Sequence, residues 1–206
     1  MSIMPAFDLL TIGHSNLPEE RFAAMLQAAG MRTLADVRSV PASRYCPWFS
    51  KRHLSARLAQ AGIDYVAMGD ALGGRPRHAS LYCDGVADYE AMAAVSEFRA
   101  GLDQVQTLTA RARVSLMCAE REPLDCHRCL LVARALAARD LTIGHILHDG
   151  TIEPHAATEQ RLLALAGASC DLFAPGQEER LAAAYRARSR AVAFRQKPET
   201  SAAERR

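Results

Sequence analysis

The sequence predicts an α/β fold: a mostly parallel, Rossmann-like, doubly wound sheet of about five strands with helices on both faces, followed by C-terminal helices. Two observations predict it. Short apolar runs alternate with segments whose apolar residues recur at helical spacing, and polar residues follow most of the apolar runs. A chain of 206 residues is long enough to bury its own core. We expect one domain over residues 1–175 and a basic helix with a disordered tail over 176–206.

The first half of the chain contains three predicted strands, at residues 8–12, 33–37 and 63–68, each a short apolar run. Two helices separate them. The first begins near Pro18 and ends at Gly30, and the second covers 53–61 and stops at Gly62. A loop rich in proline and aromatic residues covers 40–50, and a polar Gly/Pro loop covers 69–78.

The second half continues the alternation with strands at 114–117 and 141–147. Helical spacing covers 89–112, with a break expected near Gly101, and then 126–138, 154–166 and 177–196. Residues 169–173 are expected to be extended. The chain after Pro198 is polar, and we expect it to be disordered.

Composition narrows the functional classes. A net charge of +2 is too small to imply a nucleic-acid partner. No run approaches the roughly 20 apolar residues that span a membrane, and the first residues do not look like a signal peptide. We therefore expect a cytoplasmic protein with no membrane partner and with reduced cysteines. The composition does not predict the oligomeric state.

The C-terminal segment is basic. From Gly176 onward there are 8 Lys/Arg and 4 Asp/Glu. Such a helix either contacts the phosphates of a nucleic acid or is a solvated helix with paired charges.

Polar residues gather where the predicted strands end. Because parallel strands present their carboxyl ends to one edge of the sheet, and ligands bind at that edge, we predict one pocket there. The candidate site residues are His14, Ser15, Asp36, Arg38, Ser39, Arg44, Gly74, Arg75, Cys118, Glu120, Cys126, His127, Arg128 and Asp149.

Four arginines in this set, at positions 38, 44, 75 and 128, favour an anionic ligand, because guanidinium groups form bidentate bonds to phosphate and carboxylate. A small molecule or a nucleic acid would both fit. The alternative is that the arginines form structural ion pairs with Asp36, Glu120 and Asp149. The aromatic loop holding Tyr45, Trp48 and Phe49 either stacks on a base or forms a hydrophobic lid.

Residues 114–129 are the densest in reactive groups. Glu120 is the preferred general acid or base, with His14 and His127 assisting. Its alternative role is a salt bridge to Arg128 or Arg38. Cys118, between a strand and a helix start, is a candidate nucleophile with a lowered pKa.

The cysteines allow two further interpretations. Cys126 and Cys129 have the Cys-x-x-Cys spacing of thiol redox proteins, but the strand pattern is not thioredoxin-like. Cys118, Cys126, His127 and Cys129 could hold a metal, although only one ligand pair is evident. We predict no metal and no cofactor, and a structural role for Cys129.

Several motifs occur together in one order. They are Thr11-Ile12-Gly13-His14-Ser15, Asp36-Val37-Arg38-Ser39 with Pro41 and Ser43-Arg44, Gly62-Ile63 with Tyr65, Leu72-Gly73-Gly74-Arg75, Cys118-Ala119-Glu120, Cys126-His127-Arg128, and His145-Ile146 with Asp149-Gly150. On these motifs the chain resembles the bacterial and archaeal domain-of-unknown-function family 488, over roughly 8–150. The resemblance implies an α/β fold and places the site at the motif positions. It implies no particular activity. Cys129 falls outside the family pattern, which weakens the redox interpretation.

The leading functional hypothesis is an enzyme that acts on a nucleotide, nucleoside or nucleic-acid substrate by hydrolysis or group transfer. The first alternative is a non-enzymatic module that binds an anion or nucleotide or senses oxidants through its thiols. The second is a cysteine-dependent enzyme.

Overall fold

Strands and helices alternate along the chain in the computed structural model, which describes residues 7–167 and 176–196. The first part contains β1 (Leu9–Gly13), α1 (Glu19–Ala28), β2 (Thr33–Asp36), α2 (Lys51–Gln60), β3 (Asp64–Ala67), α3 (Gly69–Leu72), β4 (Tyr82–Cys83), β5 (Val86–Ala87), α4 (Tyr89–Ala94) and α5 (Ser96–Thr109). The second part contains β6 (Val114–Cys118), a 3₁₀ turn (Pro123–Asp125), a π-helical segment (Arg128–Ala133), α6 (Arg134–Ala137), β7 (Ile143–Ile146), β8 (Ile152–Pro154), α7 (His155–Leu165) and α8 (Gln177–Val192).

The main sheet has six strands among the described residues, in the order β3-β2-β6-β1-β7-β8. The first five strands are mutually parallel, and β8 pairs antiparallel with β7 at one edge. This mostly parallel sheet, flanked by helices, confirms the predicted α/β class. The sixth strand was not predicted, because β8 is only three residues long. Nor was the β4–β5 hairpin, whose strands have two residues each.

Hydrophobic cores lie on both faces of the sheet, because alternate residues of a strand point to opposite sides. One core takes Leu10, Ile12 and Met117 from the strands and packs them against α1 and α2. The other core takes Leu9, Leu116 and Cys118 from the strands. It packs them against apolar side chains of α4, α5, the π-helical segment and α8.

Two helix predictions and one loop prediction differ from the structure. The 89–112 helix breaks at Val95, whose ψ of 149° is extended, and not at Gly101. Gly101 instead permits close packing, because a Cβ there would lie 2.8 Å from Leu72 Cδ2. The loop predicted at 69–78 contains α3. The last helix ends at Val192, four residues early, and residues 193–196 are extended.

The segment expected to be extended at 169–173 and the tail after Pro198 lie outside the described residues. Within the part of the chain that is described, no helix has the length and apolar character needed to cross a membrane.

The strand order creates a crevice between β2 and β6. From β2 the chain runs outward to β3, whereas from β6 it crosses over β1 to β7. The segments that leave these two neighbouring strands therefore diverge. In open α/β sheets, ligands bind at such a point.

Candidate functional site

A cavity of about 360 Å³ occupies the crevice beside the carboxyl ends of β2 and β6. This volume lies in the range of small-molecule pockets. Its wall combines residues that follow β1, β2 and β6 with residues from the loop after α3, the start of α4 and the segment after α8. Among its lining residues are His14, Arg38, Ser39, Gly74, Arg75, Tyr89, Cys118, Glu120, His127 and Phe194.

Two thiols, a carboxylate and an imidazole meet at one side of this cavity. Cys118 is the last residue of β6, and a short loop carries Glu120. The 3₁₀ turn then brings the chain back so that Cys126 and His127 face Cys118. The turn begins at Glu122, whose carboxylate accepts a hydrogen bond from the backbone N–H of Leu124.

The four groups are in mutual contact. The Cys118 and Cys126 Sγ atoms lie 2.9 and 3.0 Å from Glu120 Oε2. His127 Nδ1 lies 3.5 Å from Cys118 Sγ and 3.9 Å from Cys126 Sγ. We call Cys118, Glu120, Cys126 and His127 the thiol cluster.

Burial distinguishes the members of the thiol cluster. Cys118, Cys126 and His127 are buried, whereas Glu120 is exposed towards the cavity. His127 is fixed by Val37, whose carbonyl lies 2.9 Å from Nε2. Since a carbonyl only accepts, Nε2 carries a proton, and Nδ1 faces the sulfurs. Burial acts to lower the pKa of His127, but the hydrogen bond and charge of Cys126 raise it overall.

The groups of the thiol cluster shift one another's pKa values. Burial raises the pKa of Cys118, and the neighbouring Cys126 raises it further. Burial also acts to raise the pKa of Cys126, but the hydrogen bond from Cys118 and the charge of Arg128 lower it overall. Partial burial of the carboxyl and the proximity of Cys126 raise the pKa of Glu120. The lowered thiol pKa therefore belongs to Cys126, which corrects the expectation for Cys118.

Arg128 does not reach the cavity. It is fully buried, and its guanidinium donates to the carbonyl oxygens of Glu120 at 2.6 Å and Arg121 at 3.0 Å. This corrects its predicted role as a ligand contact. The π-helical segment turns the side chain under the loop that follows β6, where it fixes that loop.

Arg38 is held rigidly in the cavity wall. Its Nε and one Nη donate to Asp36 at 2.9 and 2.6 Å, and Tyr65 O–H donates to the same carboxylate at 2.6 Å. The other Nη donates to His14 Nε2 at 3.1 Å. Three of the five guanidinium N–H groups are therefore used. Asp36 lies behind Arg38 as its partner and not in the cavity wall.

His14 has both ring nitrogens occupied. Nδ1–H donates to Ser15 O at 2.9 Å, and the ring stacks on Phe49 with centroids 4.2 Å apart. Burial, followed by the nearby Arg38 charge, lowers the pKa of His14 to about 4. The ring is therefore neutral near pH 7 and orients Arg38.

Arg75 supplies a second positive charge to the cavity. It is exposed, it forms no ion pair among the described residues, and its guanidinium lies 4.8 Å from the centre of the Phe194 ring. Its backbone N–H donates to Ser39 Oγ at 3.0 Å, which ties the loops after β2 and α3 together.

Phe194 and Tyr89 complete the wall, and the sequence analysis missed both. Residues after α8 run beside the β4–β5 hairpin, where the Phe194 carbonyl accepts from the Ala87 N–H at 2.9 Å. The predicted helix over 177–196 had placed Phe194 within a helix. Tyr89, the first residue of α4, carried no signal beyond its position at a helix start.

Besides Asp36, Cys126 and Arg128, three more predicted site residues lie outside the cavity wall. Asp149 caps its own turn, accepting from Thr151 N–H and Oγ1, and follows β7, which lies on the far side of β1. Arg44 is exposed in the loop after β2, and Ser15 Oγ points to Asn16 at 3.4 Å.

The aromatic side chains of the loop over 40–50 do not line the cavity either, although Val40, Ala42 and Ser43 of the same loop do. Phe49 is buried in the core, Trp48 donates to the Leu17 carbonyl, and Tyr45 is 90% exposed. This arrangement matches the lid interpretation for Phe49 and Trp48.

Cys129 is separate from the thiol cluster. Its Sγ faces His145 Nε2 on β7 at 3.8 Å. The Cys-x-x-Cys spacing therefore does not produce a pair of adjacent thiols, and Cys126 is paired with Cys118 instead.

The arginines of α8 that face the body of the protein are largely paired. Arg186 meets Glu90 at 3.4 Å, and Arg188 and Arg190 pair with Asp125 and Asp84. The inner face of the helix is buried through Ala184 and Tyr185. This geometry favours a docked helix with paired charges.

Fold and cavity together define an α/β protein with a small-molecule-sized site at the carboxyl edge of its sheet. A family model described as a domain of unknown function, DUF488, matches residues 18–135, more than half of the chain. The chain therefore belongs to the DUF488 family, as its motifs predicted. No curated protein and no solved structure matches it.

Proposed function

We propose that the protein is an enzyme that acts on a small phosphate-bearing molecule of the nucleotide class, by hydrolysis or group transfer. One observation carries this proposal. Arg38 and Arg75 line the same cavity as Glu120 and His127, so groups that bind an anion face groups that transfer protons.

Arg38 is suited to binding a phosphate oxygen. Its position is fixed by Asp36 and His14, yet two guanidinium N–H groups remain after those contacts. A donor that is already positioned loses little conformational entropy on binding. Arg75 adds an unpaired charge from the opposite loop.

The apolar part of the wall supports a substrate with a ring. Tyr89 and Phe194 line the cavity, and Phe194 already carries the Arg75 guanidinium on its face. Aromatic side chains bind bases by stacking. A single nucleotide fits better than a polymer, because the α8 arginines that would contact a longer backbone are paired with carboxylates.

Glu120 is the proposed general acid or base. Its side chain is exposed to the cavity, while Oε2 contacts two thiols. Proton transfer by a positioned carboxyl group requires this reach towards the substrate. His127 holds its place beside Glu120 through Val37.

A cysteine-dependent enzyme and a non-enzymatic module are the competing hypotheses. Cys118 is 3% exposed and Cys126 is 1% exposed, so neither sulfur is open to attack a bulky substrate. A module that only binds would share the cavity and its arginines but would show no turnover.

Binding tests the substrate class. Inorganic phosphate and nucleoside mono- and diphosphates would be titrated calorimetrically into the protein. We expect binding that Arg75→Ala weakens about tenfold or more, because a charge-assisted hydrogen bond is lost. Arg52→Ala, at an exposed arginine of α2, is the matched control. Equal weakening by both variants, or no binding of any probe, contradicts the substrate class.

Turnover tests the catalytic part. For whichever probe binds, phosphate release and nucleoside products would be followed by chromatography. We expect Glu120→Gln to lower kcat by about a hundredfold while the substrate still binds, since an amide cannot transfer the proton. Unchanged turnover removes Glu120 from the mechanism. Binding without any turnover favours the non-enzymatic module.

A further inference from the structure

We propose that Cys118, Cys126 and His127 bind one zinc ion, with Glu120 on its cavity side and a fourth coordination position open to the cavity. The evidence for the ion is the geometry of the thiol cluster. Its use in activating a water molecule rests on the proposed function.

Four possible metal-ligand atoms converge in the thiol cluster. The ligand atoms of its four residues all lie within 4.8 Å of one another. The Val37 carbonyl accepts the Nε2 proton of His127, so Nδ1 faces the two sulfurs and is the nitrogen available to a metal. A backbone carbonyl behind a histidine is the usual outer contact of a metal-bound imidazole.

A second outer contact supports the sulfur ligands. The backbone N–H of Arg128 donates to Cys126 Sγ at 3.4 Å. The buried Arg128 guanidinium holds the Glu120 and Arg121 carbonyls and so fixes the loop between the two cysteines. The protein thus orients the thiols from behind, as a binding site requires.

The distances from His127 to the two sulfurs match tetrahedral coordination. Bonds of about 2.3 Å to sulfur and about 2.0 Å to nitrogen place those atoms about 3.5 Å apart. The observed separations of 3.5 and 3.9 Å between His127 Nδ1 and the sulfurs agree. Glu120 Oε2, at 2.9 and 3.0 Å from the sulfurs, is closer than a fourth ligand would be.

Glu120 therefore has to move outward when the ion binds. Its side chain faces the cavity and has room to do so, whereas the other three groups are buried. Two thiolates, one imidazole and one open position form a recognised type of catalytic zinc site. A carboxylate next to the open position can accept a proton from water bound there.

The chemistry of the donors selects the metal. Thiolate and imidazole favour zinc and similar transition metals, whereas magnesium and calcium take oxygen ligands. On binding, Cys118 and Cys126 coordinate as thiolates and His127 through an unprotonated Nδ1, so any protons on these atoms pass to solvent and no atom changes its oxidation state.

A second group of possible ligands provides an informative contrast. Cys129, His145 and His155 also lie together. However, His145 Nε2 and His155 Nδ1 are 2.9 Å apart and hydrogen-bonded, closer than the roughly 3.3 Å that two tetrahedral nitrogen ligands would keep. We assign no metal to this group.

Metal analysis tests the proposal directly. The full chain would be purified without chelator and analysed by plasma mass spectrometry, then stripped and reloaded with zinc or cobalt(II) alone. We expect one zinc per chain and, with cobalt, the thiolate charge-transfer absorption of a four-coordinate site. Zinc in excess of its Kd should also raise the Tm, because it binds only the folded chain.

Variants assign the ligands. Cys118→Ser, Cys126→Ser and His127→Asn should each abolish stoichiometric zinc. Cys129→Ser and Cys83→Ser are the matched controls and should retain it, since Cys129 faces His145 and Cys83 is exposed. Circular dichroism would show which variants fold.

The cobalt spectrum of the unmodified protein keeps the test independent of variant folding. No thiolate absorption, or no metal retained at equimolar loading, overturns the site, as does retention by the three ligand variants. A Cys118–Cys126 disulfide in place of metal also overturns it. Zinc bound without nucleotide turnover would support the metal site and contradict only the proposed enzyme activity.

Discussion

At the scale of single residues, the thiol cluster depends on a glycine. A Cβ at Gly74 would lie 2.7 Å from Cγ of the His127 ring. The loop after α3 therefore packs directly on the imidazole, and only hydrogen fits between them. This contact explains the glycine at a position whose φ does not itself require one.

Gly74→Ala should disturb the thiol cluster more than the fold. We expect the added methyl group to displace His127, to weaken zinc or nucleotide binding at least about tenfold, and to cost about 1–3 kcal/mol of unfolding free energy. Gly176→Ala is the control, because a Cβ there has nothing within 4 Å. Titration and chemical denaturation of both variants measure the effects, and equal behaviour would refute the contact.

The sequence predicted which residue types stand near the site but not which way they face. His14, Arg38, Cys118, Glu120 and His127 follow strands and do meet at one cavity. Arg128 shows the limit of the pattern. A buried guanidinium that donates to carbonyls and one that binds a ligand look the same in a sequence. The direction in which the Arg128 side chain points depends on the π-helical turn that carries it.

At the scale of elements, a buried hydrogen-bond chain joins β1, β7, α7 and α8. Thr11 Oγ1 contacts His145 Nδ1 at 2.8 Å, and His145 contacts His155 at 2.9 Å. Tyr185 on α8 lies 3.2 Å from His155 and donates to Glu159 at 2.9 Å. Neutral histidines satisfy every link, whereas a protonated His145 would lose an acceptor.

This chain of hydrogen bonds predicts that the folded protein loses stability in acid. Burial lowers the pKa of both histidines below the ordinary 6.5, and His155 lowers that of His145 further. Below pH 6.5 the unfolded chain therefore binds protons that the folded chain does not, and stability falls by up to about 1.4 kcal/mol per pH unit for each such proton. Above pH 6.5 the contribution of both groups is fully present.

Urea denaturation between pH 5 and pH 8, a range of about three units around the histidine pKa, measures the slope. The His155→Gln variant should show a smaller slope of unfolding free energy against pH, because one titrating histidine is removed from the chain of hydrogen bonds. His78→Gln, at an exposed histidine, is the control and should leave it unchanged. A slope that is the same in all three proteins would contradict the role of the buried pair.

Elements with long periodic patterns were predictable, and short ones were not. Apolar spacing located the five parallel strands and the main helices to within a few residues. The break at Val95 and the strand β8 depend on tertiary packing and on pairing with β7, which no local pattern records.

At the scale of the whole molecule, the cavity is closed by the end of the described chain. Residues 193–196 leave α8 in extended form and pair with the β4–β5 hairpin, where Val86 bridges Arg195. Phe194 then reaches Arg75. Pairing with the β4–β5 hairpin places this segment at the cavity wall, and no sequence motif records that pairing.

Phe194→Ala should weaken ligand binding while preserving the fold. Loss of the contact with Arg75 removes about 0.5–1 kcal/mol, which corresponds to about a two- to fivefold higher Kd for a nucleotide. Leu165→Ala, at a leucine that is 66% exposed, is the apolar control. Calorimetry compares the two, and an unchanged Kd in the first variant would exclude Phe194 from the binding wall.

The wall of the cavity can open without the main sheet. The cavity joins His14, which follows β1, to Phe194, which follows α8. The segment holding Phe194 is bonded to the β4–β5 hairpin, which is separate from the six-stranded sheet. Local unfolding that frees residues 193–196 would therefore release a ligand while the parallel strands stay paired.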